Sequence, residues 1–222
     1  VQAFPPPEYN IFSPNDDGIR DTVTLRQRAS REEAWTGSIL NADGDVVWQR
    51  TWENPNPNNP SQDVAPPEEF AWDGTYLNSD QGSDGETVPE GEYSYRLSAT
   101  DRAGNETTQR AQYTLTMSLQ AGNLQLAVQG NGIFSPNGDG NQDTLTFETT
   151  VMEPEGLDTW DMQIVSAEDP DDLVRRFSGT GSVPETITFD GENRRGRATA
   201  DGTYRAQLSA QYVNGNIVES EP

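Results

Sequence analysis

Residues 133–143 read IFSPNGDGNQD, and residues 11–21 read IFSPNDDGIRD. Both copies begin with an apolar Ile-Phe pair, turn at Ser-Pro-Asn and lead into a run in which apolar and polar residues alternate. These runs begin at Val23 and at Leu145. Alternation with a period of two is typical of a half-buried β-strand. The repeat therefore predicts two β-domains that are each entered through the same loop.

Turn residues separate further short strands along the chain, and no segment shows sustained helical periodicity. Residues 41–45, for example, read NADGD, and Asp-Gly supplies the positive φ that a tight hairpin needs. Short strands at regular spacing predict a β-sandwich. We therefore expect an all-β chain of two tandem Ig-like (fibronectin III-like) antiparallel β-sandwiches. Their predicted limits are residues 1–118 and 119–222, and we expect the last strand of the second domain, around Ile217, to be truncated.

The composition excludes several classes of protein. The 222 residues carry a net charge of −23 and include no cysteine and no histidine. Disulfides, Ser-His-Asp and Cys-His catalysis and the common zinc sites are therefore excluded. So acidic a chain repels nucleic acid and anionic membrane surfaces and attracts divalent cations. Since the sequence also lacks an apolar run of about 18 residues, we expect neither a nucleic-acid partner nor membrane insertion.

Two further stretches carry a resemblance to a known family. Residues 72–74 read WDG, and residues 88–95 read VPEGEYSY. Together they resemble the Ig-like domain first described in the flagellar hook-capping protein, in which a Trp-Asp-Gly turn precedes Val-Pro-x-Gly-x-Tyr-x-Tyr. The second half is similar more loosely, through FDG at residues 189–191 and ADGTY at residues 200–204. The resemblance implies an Ig-like fold for both halves.

The repeated loop has a resemblance of its own. Its Phe-Ser-Pro-Asn-Gly-Asp-Gly-x-x-Asp signature is similar to one found in secreted and cell-surface repeat proteins of spirochaetes and Bacteroidetes. TDRAGN at residues 100–105 resembles the hairpin of many bacterial Ig-like surface repeats. These resemblances imply an extracellular or cell-surface location, with the periplasm as the alternative. They also imply that the chain is part of a larger protein and has neighbouring domains of the same parent chain as partners.

The repeated loop is also a candidate calcium site. It places side-chain oxygens at positions 1, 3 and 7 and a further oxygen at position 5, and calcium takes about 6–8 oxygen ligands. The loop is not an EF-hand, because its glycine lies at position 4 rather than 6 and the two copies share no glutamate at position 12. Further ligands would be needed, and Asp73 and Asp190, in matching turns, are candidates. The predicted loop ligands are Asn15, Asp17, Ile19 and Asp21 in the first copy, and Asn137, Asp139, Asn141 and Asp143 in the second.

The alternative to calcium is a network of Asx-turns, in which Asn and Asp side chains accept hydrogen bonds from nearby backbone without any metal. The distinction matters for stability, because this chain has a low apolar content and no disulfide. Free calcium at 100 times its Kd would add roughly 2.7 kcal/mol to each domain.

Trp48 and Trp52 lie on one face of a predicted strand, beside an Asn- and Pro-rich loop at residues 54–67. Their counterparts in the second half are Arg175 and Gly179. A position that holds Arg or Gly in the sister domain is not expected to lie deep in the core. Exposed tryptophans can stack on sugars, so the pair is a candidate binding face for a glycan or a surface protein. The alternative is that both pack beneath the loop. The matched tryptophans that we expect in the two cores are Trp35 and Trp160.

The sequence as a whole indicates a structural role. Carboxylates are abundant, but the repeat uses each domain for the same small sandwich and leaves no obvious cleft, so we do not expect an enzyme. We expect a non-catalytic extracellular spacer module of a larger exported bacterial surface protein, stiffened by calcium. The alternative is a carbohydrate- or protein-binding adhesion module that uses the exposed aromatics.

Overall fold

A computed structural model describes residues 3–221 of the protein. Val1, Gln2 and Pro222, which the predicted domain limits include, lie outside this part. The regular secondary structure of the described part is almost entirely β-strand, and its helical segment is a short 3-10 helix at Pro60–Gln62. It contains no helix that is long and apolar enough to cross a membrane. The predicted all-β class is confirmed.

The chain divides into two compact units, Val1–Leu119 and Gln120–Pro222. In each unit the strands form separate sheets around one cluster of buried hydrophobic residues. Each unit is therefore an Ig-like, fibronectin III-like β-sandwich with a core of its own.

The sheets of the first unit differ in size. Its strands are β1 (Ile11–Phe12), β2 (Val23–Arg26), β3 (Ala34–Leu40), β4 (Val46–Glu53), β5 (Glu69–Trp72), β6 (Gly91–Thr100) and β7 (Glu106–Met117). Five of them form a sheet in the order β1-β7-β6-β3-β4, and β2 pairs with β5. The pairs are antiparallel, as predicted, except that β1 runs parallel to β7.

The core of the first unit follows from alternation along β6. Successive side chains of a strand point to opposite faces, so Tyr93, Tyr95 and Leu97 share the inner face, and all three are buried. The Tyr95 hydroxyl donates a hydrogen bond of 2.6 Å to Oε1 of buried Gln27, whose Nε2 donates to the Pro67 carbonyl at 2.8 Å. A buried hydroxyl needs such a partner, and burial raises the pKa of Tyr95 above its ordinary value.

The second unit is similar in plan, but its described strands form sheets of four and three strands rather than five and two. Its strands are β8 (Asn123–Val128), β9 (Leu145–Met152), β10 (Leu157–Ser166), β11 (Leu173–Thr180), β12 (Thr186–Phe189), β13 (Tyr204–Tyr212) and β14 (Ile217–Glu219). The sheets have the orders β11-β10-β13-β14 and β12-β9-β8. All of these pairs are antiparallel.

The matched tryptophans occupy the two cores. Trp35 and Trp160 are both buried, which confirms that prediction. Trp160 lies opposite Gly179 in the β10–β11 pair, and a Cβ on that glycine would lie 2.7 Å from the indole Nε1. The glycine therefore leaves room for the Trp160 ring.

Candidate functional site

The repeated loops have the same closed backbone in both units. We call residues 13–21 and 135–143 the first and second Ser-Pro-Asn loops. In the first loop the Ser13 amide donates to the Arg20 carbonyl at 3.0 Å. In the second, the equivalent bond from Ser135 to Gln142 measures 2.8 Å. These hydrogen bonds bring the two ends of each loop together.

The last aspartate of each loop is bound by backbone amides. In the first loop, Oδ1 of Asp21 accepts from the amides of Asp16 at 2.8 Å and Asn15 at 3.2 Å, and Oδ2 accepts from Gly18 at 2.8 Å. One carboxylate therefore joins three backbone donors within its own loop.

The second loop reproduces this arrangement around Asp143. Its carboxylate accepts from the amides of Gly138 and Gly140, both at 2.7 Å, and from that of Asn137 at 3.1 Å. Hydrogen bonds to a carboxylate favour its ionised form. The amide of Gly138, and next that of Gly140, accordingly lowers the pKa of Asp143 from its ordinary value of 3.8.

The remaining predicted ligands form Asx-turns. Oδ1 of Asn15 accepts from the Asp17 amide at 3.1 Å, and Oδ1 of Asp17 accepts from the Ile19 amide at 2.7 Å. The matching bonds of Asn137 and Asp139 measure 2.9 and 2.8 Å, the latter from the amide of Asn141. The structure thus brings the eight predicted residues together as the hydrogen-bond network that the sequence offered as the alternative to calcium.

Asp73 and Asp190, the candidates for completing a metal site, lie in turns that they hold by their own hydrogen bonds. Oδ1 of Asp73 accepts from the amide and the hydroxyl of Thr75, at 3.2 and 2.6 Å, and Oδ1 of Asp190 accepts from the Glu192 amide at 3.0 Å. Both carboxylates therefore stabilise their own turns. In the part of the chain that the structure describes, no three His, Cys, Asp or Glu side chains are grouped as metal ligands, so a cation at the loops would also need amide or carbonyl oxygens.

These turns instead support the loops by packing. In the first unit Phe12 lies against Trp72, with 5.4 Å between ring centroids, and Pro14 packs on Gly74. Gly74 has a φ of +72°, so its backbone favours glycine. The Ser-Pro-Asn loop and the Trp-Asp-Gly turn therefore pack against each other. The only sign of this contact in the sequence is that both motifs recur in the same order in each half.

The same contact recurs in the second unit. Phe134 meets Phe189 edge-on at 5.6 Å. A Cβ added to Gly191 would lie 2.5 Å from Cγ of Pro136. Because real Cβ atoms do not approach so closely, this glycine is required for the proline to seat.

The predicted aromatic binding face is wrong, because its first member lies in the core. Trp48 is only 7% exposed and stacks on Phe70 at 5.0 Å, with the rings 8° from parallel. Trp52 is partly buried and packs on the same phenylalanine at 6.3 Å. Phe70 belongs to β5 in the other sheet, so the tryptophans join the two sheets of the first unit.

A polar cluster that the sequence did not predict organises the Asn- and Pro-rich loop. Asn54 is buried and its Nδ2 donates to the Asn59 carbonyl at 3.0 Å and to Oδ1 of Asp63 at 2.9 Å. Arg102 forms an ion pair of 2.6 Å with the same Asp63 oxygen. Asn54 first, and then Arg102, lower the pKa of Asp63. The cluster links the loop to the hairpin that contains Arg102.

One family model matches the chain. Residues 7–115, which lie within the first unit, match the family described as the CHU_C type IX secretion signal domain. This is a domain of exported proteins, so the match indicates a secreted or cell-surface protein and an extracellular surface-protein module. No curated protein matches the chain.

Several solved structures are similar to the chain. They include a tetra-tandem repeat in the extending region of a large adhesion protein (15% identity, 90% of this chain, 43% of that chain, TM-score 0.37). A second is dimeric latent PorU from Porphyromonas gingivalis, with 12% identity over 99% of this chain and 19% of that chain and a TM-score of 0.36. A third is the fibronectin(III)-like modules of CbhA from Clostridium thermocellum, with 10% identity over 99% of this chain and 89% of that chain and a TM-score of 0.44. The chain spans less than half the length of the first two. Any activity or partner of the complete protein to which this chain belongs is therefore stated below only as a proposal.

Proposed function

We propose that the chain is a non-catalytic structural module that spaces or displays other domains of a larger exported bacterial surface protein. The observation that carries this proposal is the use of Asp21 and Asp143. In each unit the acidic loop, where chemistry or binding would be expected, accepts backbone hydrogen bonds that close the loop at the entry to the sandwich. Such a loop contributes rigidity rather than a reactive group.

Force spectroscopy on the full chain tests this role. We expect each unit to unfold in a separate event at a force well above that of an unstructured chain. Asp21→Asn should lower the force of one event and Asp143→Asn that of the other, since an amide nitrogen cannot accept the bond from Gly18 or Gly140. Glu168→Gln, at an exposed carboxylate outside both loops, is the control. Extension without resistance would contradict the proposal.

Export through the first unit is the second part of the proposal. It rests on the family match over residues 7–115. The resemblance of residues 72–74 and 88–95 to the hook-capping Ig-like domain stays a prediction, because the matching family is the secretion-signal domain.

Calcium is the third part of the proposal. The high negative charge of the chain and the exposed oxygens of both loops support it. Any ion would add to the Asx-turn network or replace part of it. We propose that calcium binds weakly there, with a Kd of about 10⁻⁴–10⁻³ M, as in other extracellular modules.

A further inference from the structure

Three Asn-Gly bonds occur in the chain, and all of them lie in the second unit. They join Asn131 to Gly132, residue 137 to residue 138, and residue 214 to residue 215. In such a pair the glycine amide nitrogen can attack the carbonyl carbon of the asparagine side chain, because glycine has no Cβ to hinder a close approach. One domain therefore holds three sites of the same chemistry in different surroundings.

The three asparagine side chains make the same local hydrogen bond. Each turns its Oδ1 forward to accept from the backbone amide two residues later, as in an Asx-turn. These bonds measure 3.1 Å at Asn131, 2.9 Å at Asn137 and 3.1 Å at Asn214. This side-chain hydrogen bond therefore does not distinguish the three sites.

The glycine amides do distinguish them. The amide of Gly138 donates to Oδ1 of Asp143 at 2.7 Å, and the amide of Gly215 donates to the Tyr212 carbonyl at 2.9 Å. Within residues 3–221, the amide of Gly132 makes no hydrogen bond. A nitrogen that attacks must first give up its proton, and a hydrogen bond that holds this proton opposes the loss. Of the three amides, that of Gly132 is therefore the one that is ready to react.

Solvent access adds to the difference. Asn131 and Gly132 are exposed, whereas Asn214 is only 3% exposed. The reaction needs water, so burial slows it at Asn214. Asn137 is exposed like Asn131, so its protection rests on the hydrogen bond from Gly138 to Asp143.

The free amide of Gly132 does not depend on which strand lies beside it. Its counterpart in the first unit is Asn10, which also precedes the Ile-Phe pair. There, β7 bonds to Asn10 through the Thr116 amide, which donates to the Asn10 carbonyl at 2.7 Å, and through the Thr114 carbonyl, which accepts from Asn10 Nδ2 at 2.9 Å. Neither bond uses the Asn10 amide. A strand paired in the same way in the second unit would leave the Gly132 amide free.

We propose that Asn131 is a site of spontaneous deamidation in the folded protein, selected because the amide of Gly132 is free. The Gly132 nitrogen bonds to Cγ of Asn131 and closes a succinimide ring. The side-chain nitrogen leaves as ammonia and carries, by way of solvent, the proton that the amide gave up. Water then opens the ring at either carbonyl and leaves aspartate or isoaspartate at position 131. The net reaction consumes a water molecule, releases ammonia and needs no oxidant or reductant.

The modification alters the entry to the second Ser-Pro-Asn loop. Either product adds a carboxylate, and isoaspartate also lengthens the backbone, because the chain then runs through the former side chain. Nearby Phe134 packs against Phe189 at 5.6 Å, a contact that a longer backbone disturbs. The first unit has no Asn-Gly bond, and at the equivalent position the Tyr9 hydroxyl donates to the Thr22 carbonyl at 2.9 Å. The second unit should therefore lose stability with age through this reaction, whereas the first should not.

Peptide mapping by mass spectrometry, after incubation of the full chain at neutral pH in heavy-oxygen water, tests the proposal. Heavy oxygen should appear at position 131, divided between aspartyl and isoaspartyl peptides. We expect Asn131 to react roughly 10-fold or more faster than Asn137, where a hydrogen bond to a carboxylate must first break. No reaction at Asn131, or a rate no higher than at Asn137 and Asn214, would overturn the proposal.

The same incubation in concentrated urea shows whether the fold sets the difference. The unfolded chain has none of these hydrogen bonds, so the three sites should react at similar rates. A preference for Asn131 that persists unchanged in urea would come from the local sequence and would overturn the proposal.

Two variants separate the reactive site from its protected counterpart. Asp143→Ala removes the acceptor of the Gly138 amide and should speed the reaction at Asn137 with little change at Asn131. An unchanged rate at Asn137 in the folded variant would overturn the proposal, and the urea comparison decides if the variant does not fold. Asn131→Gln should keep the melting midpoint of the second unit constant during incubation, while that of the natural chain falls. Equal falls in both chains would also overturn the proposal.

Discussion

Asp143 shows how a single carboxylate couples the second Ser-Pro-Asn loop to pH. Its pKa is lowered in the folded chain, first by the amide of Gly138 and then by that of Gly140. A lowered pKa means that folding favours the ionised form. The stabilisation is therefore complete above the ordinary pKa of 3.8 and is lost as the pH falls through the lower folded value.

We expect the second unit to lose stability on acidification below the ordinary pKa of Asp143. Asp143→Asn should be less stable than the natural chain at neutral pH, and the difference should shrink as the pH falls through this range. Melting curves at a series of pH values measure it. Glu168→Gln, at an exposed carboxylate, should keep the natural pH dependence. A constant difference between Asp143→Asn and the natural chain would contradict the assignment.

The local network at these residues was predictable because it involves partners only two to six positions apart. Asn and Asp at alternate positions form Asx-turns wherever the backbone bends in this way. What the sequence could not decide was whether Asp73 and Asp190 reach the loops. Their orientation depends on how the turn packs, and in the structure each accepts a hydrogen bond from its own turn.

The contact between the second Ser-Pro-Asn loop and its Asp-Gly turn can be tested by substituting two glycines. Gly191 and Gly181 have similar φ values, +77° and +74°, but only Gly191 has Pro136 against it. A side chain in this backbone conformation costs about 1–2 kcal/mol. Gly181→Ala should show this cost alone, whereas Gly191→Ala should be less stable by a further amount from the collision with the proline. Urea denaturation measures both, and equal losses would contradict the role of the contact.

The β4 strand carries a second test at this scale. Trp48 stacks on Phe70 of the opposite sheet, so Trp48→Ala should destabilise the first unit by about 3–5 kcal/mol, the usual cost of truncating a large buried aromatic residue. Thermal or urea unfolding measures it. Arg50→Ala, at an exposed residue of the same strand, is the control and should have little effect. Unchanged stability in Trp48→Ala would contradict the structural role of its contact with Phe70.

The burial of Trp48 could not be predicted from its counterpart in the second unit, Arg175. A strand position alternates inward or outward, but which partners fill the space depends on the other sheet. In the first unit Phe70 meets the indole, whereas in the second Arg175 turns its guanidinium over Phe177, 5.5 Å from the ring centroid. The same position therefore has different environments in the two units.

For the whole molecule, the net charge of −23 makes its stability sensitive to ions. Sodium chloride screens repulsion between carboxylates, so the melting midpoints should rise with its concentration. If calcium binds the loops, it should raise them further than sodium chloride at equal ionic strength, and a chelator should remove the excess. Asp21→Asn should abolish the excess in the first unit only. Equal effects of the two salts would contradict calcium binding.

The sequence by itself determined the all-β class and offered the Asx-turn network as one of two interpretations of the loops, because alternation and Asx-turns act over a few neighbouring residues. Export was implied by resemblance and agrees with the family match over residues 7–115. Only the tertiary structure decided that Trp48 joins two sheets and that the Ser-Pro-Asn loops pack on Asp-Gly turns. These features depend on contacts between residues far apart in the chain, and no local pattern specifies which distant surfaces meet.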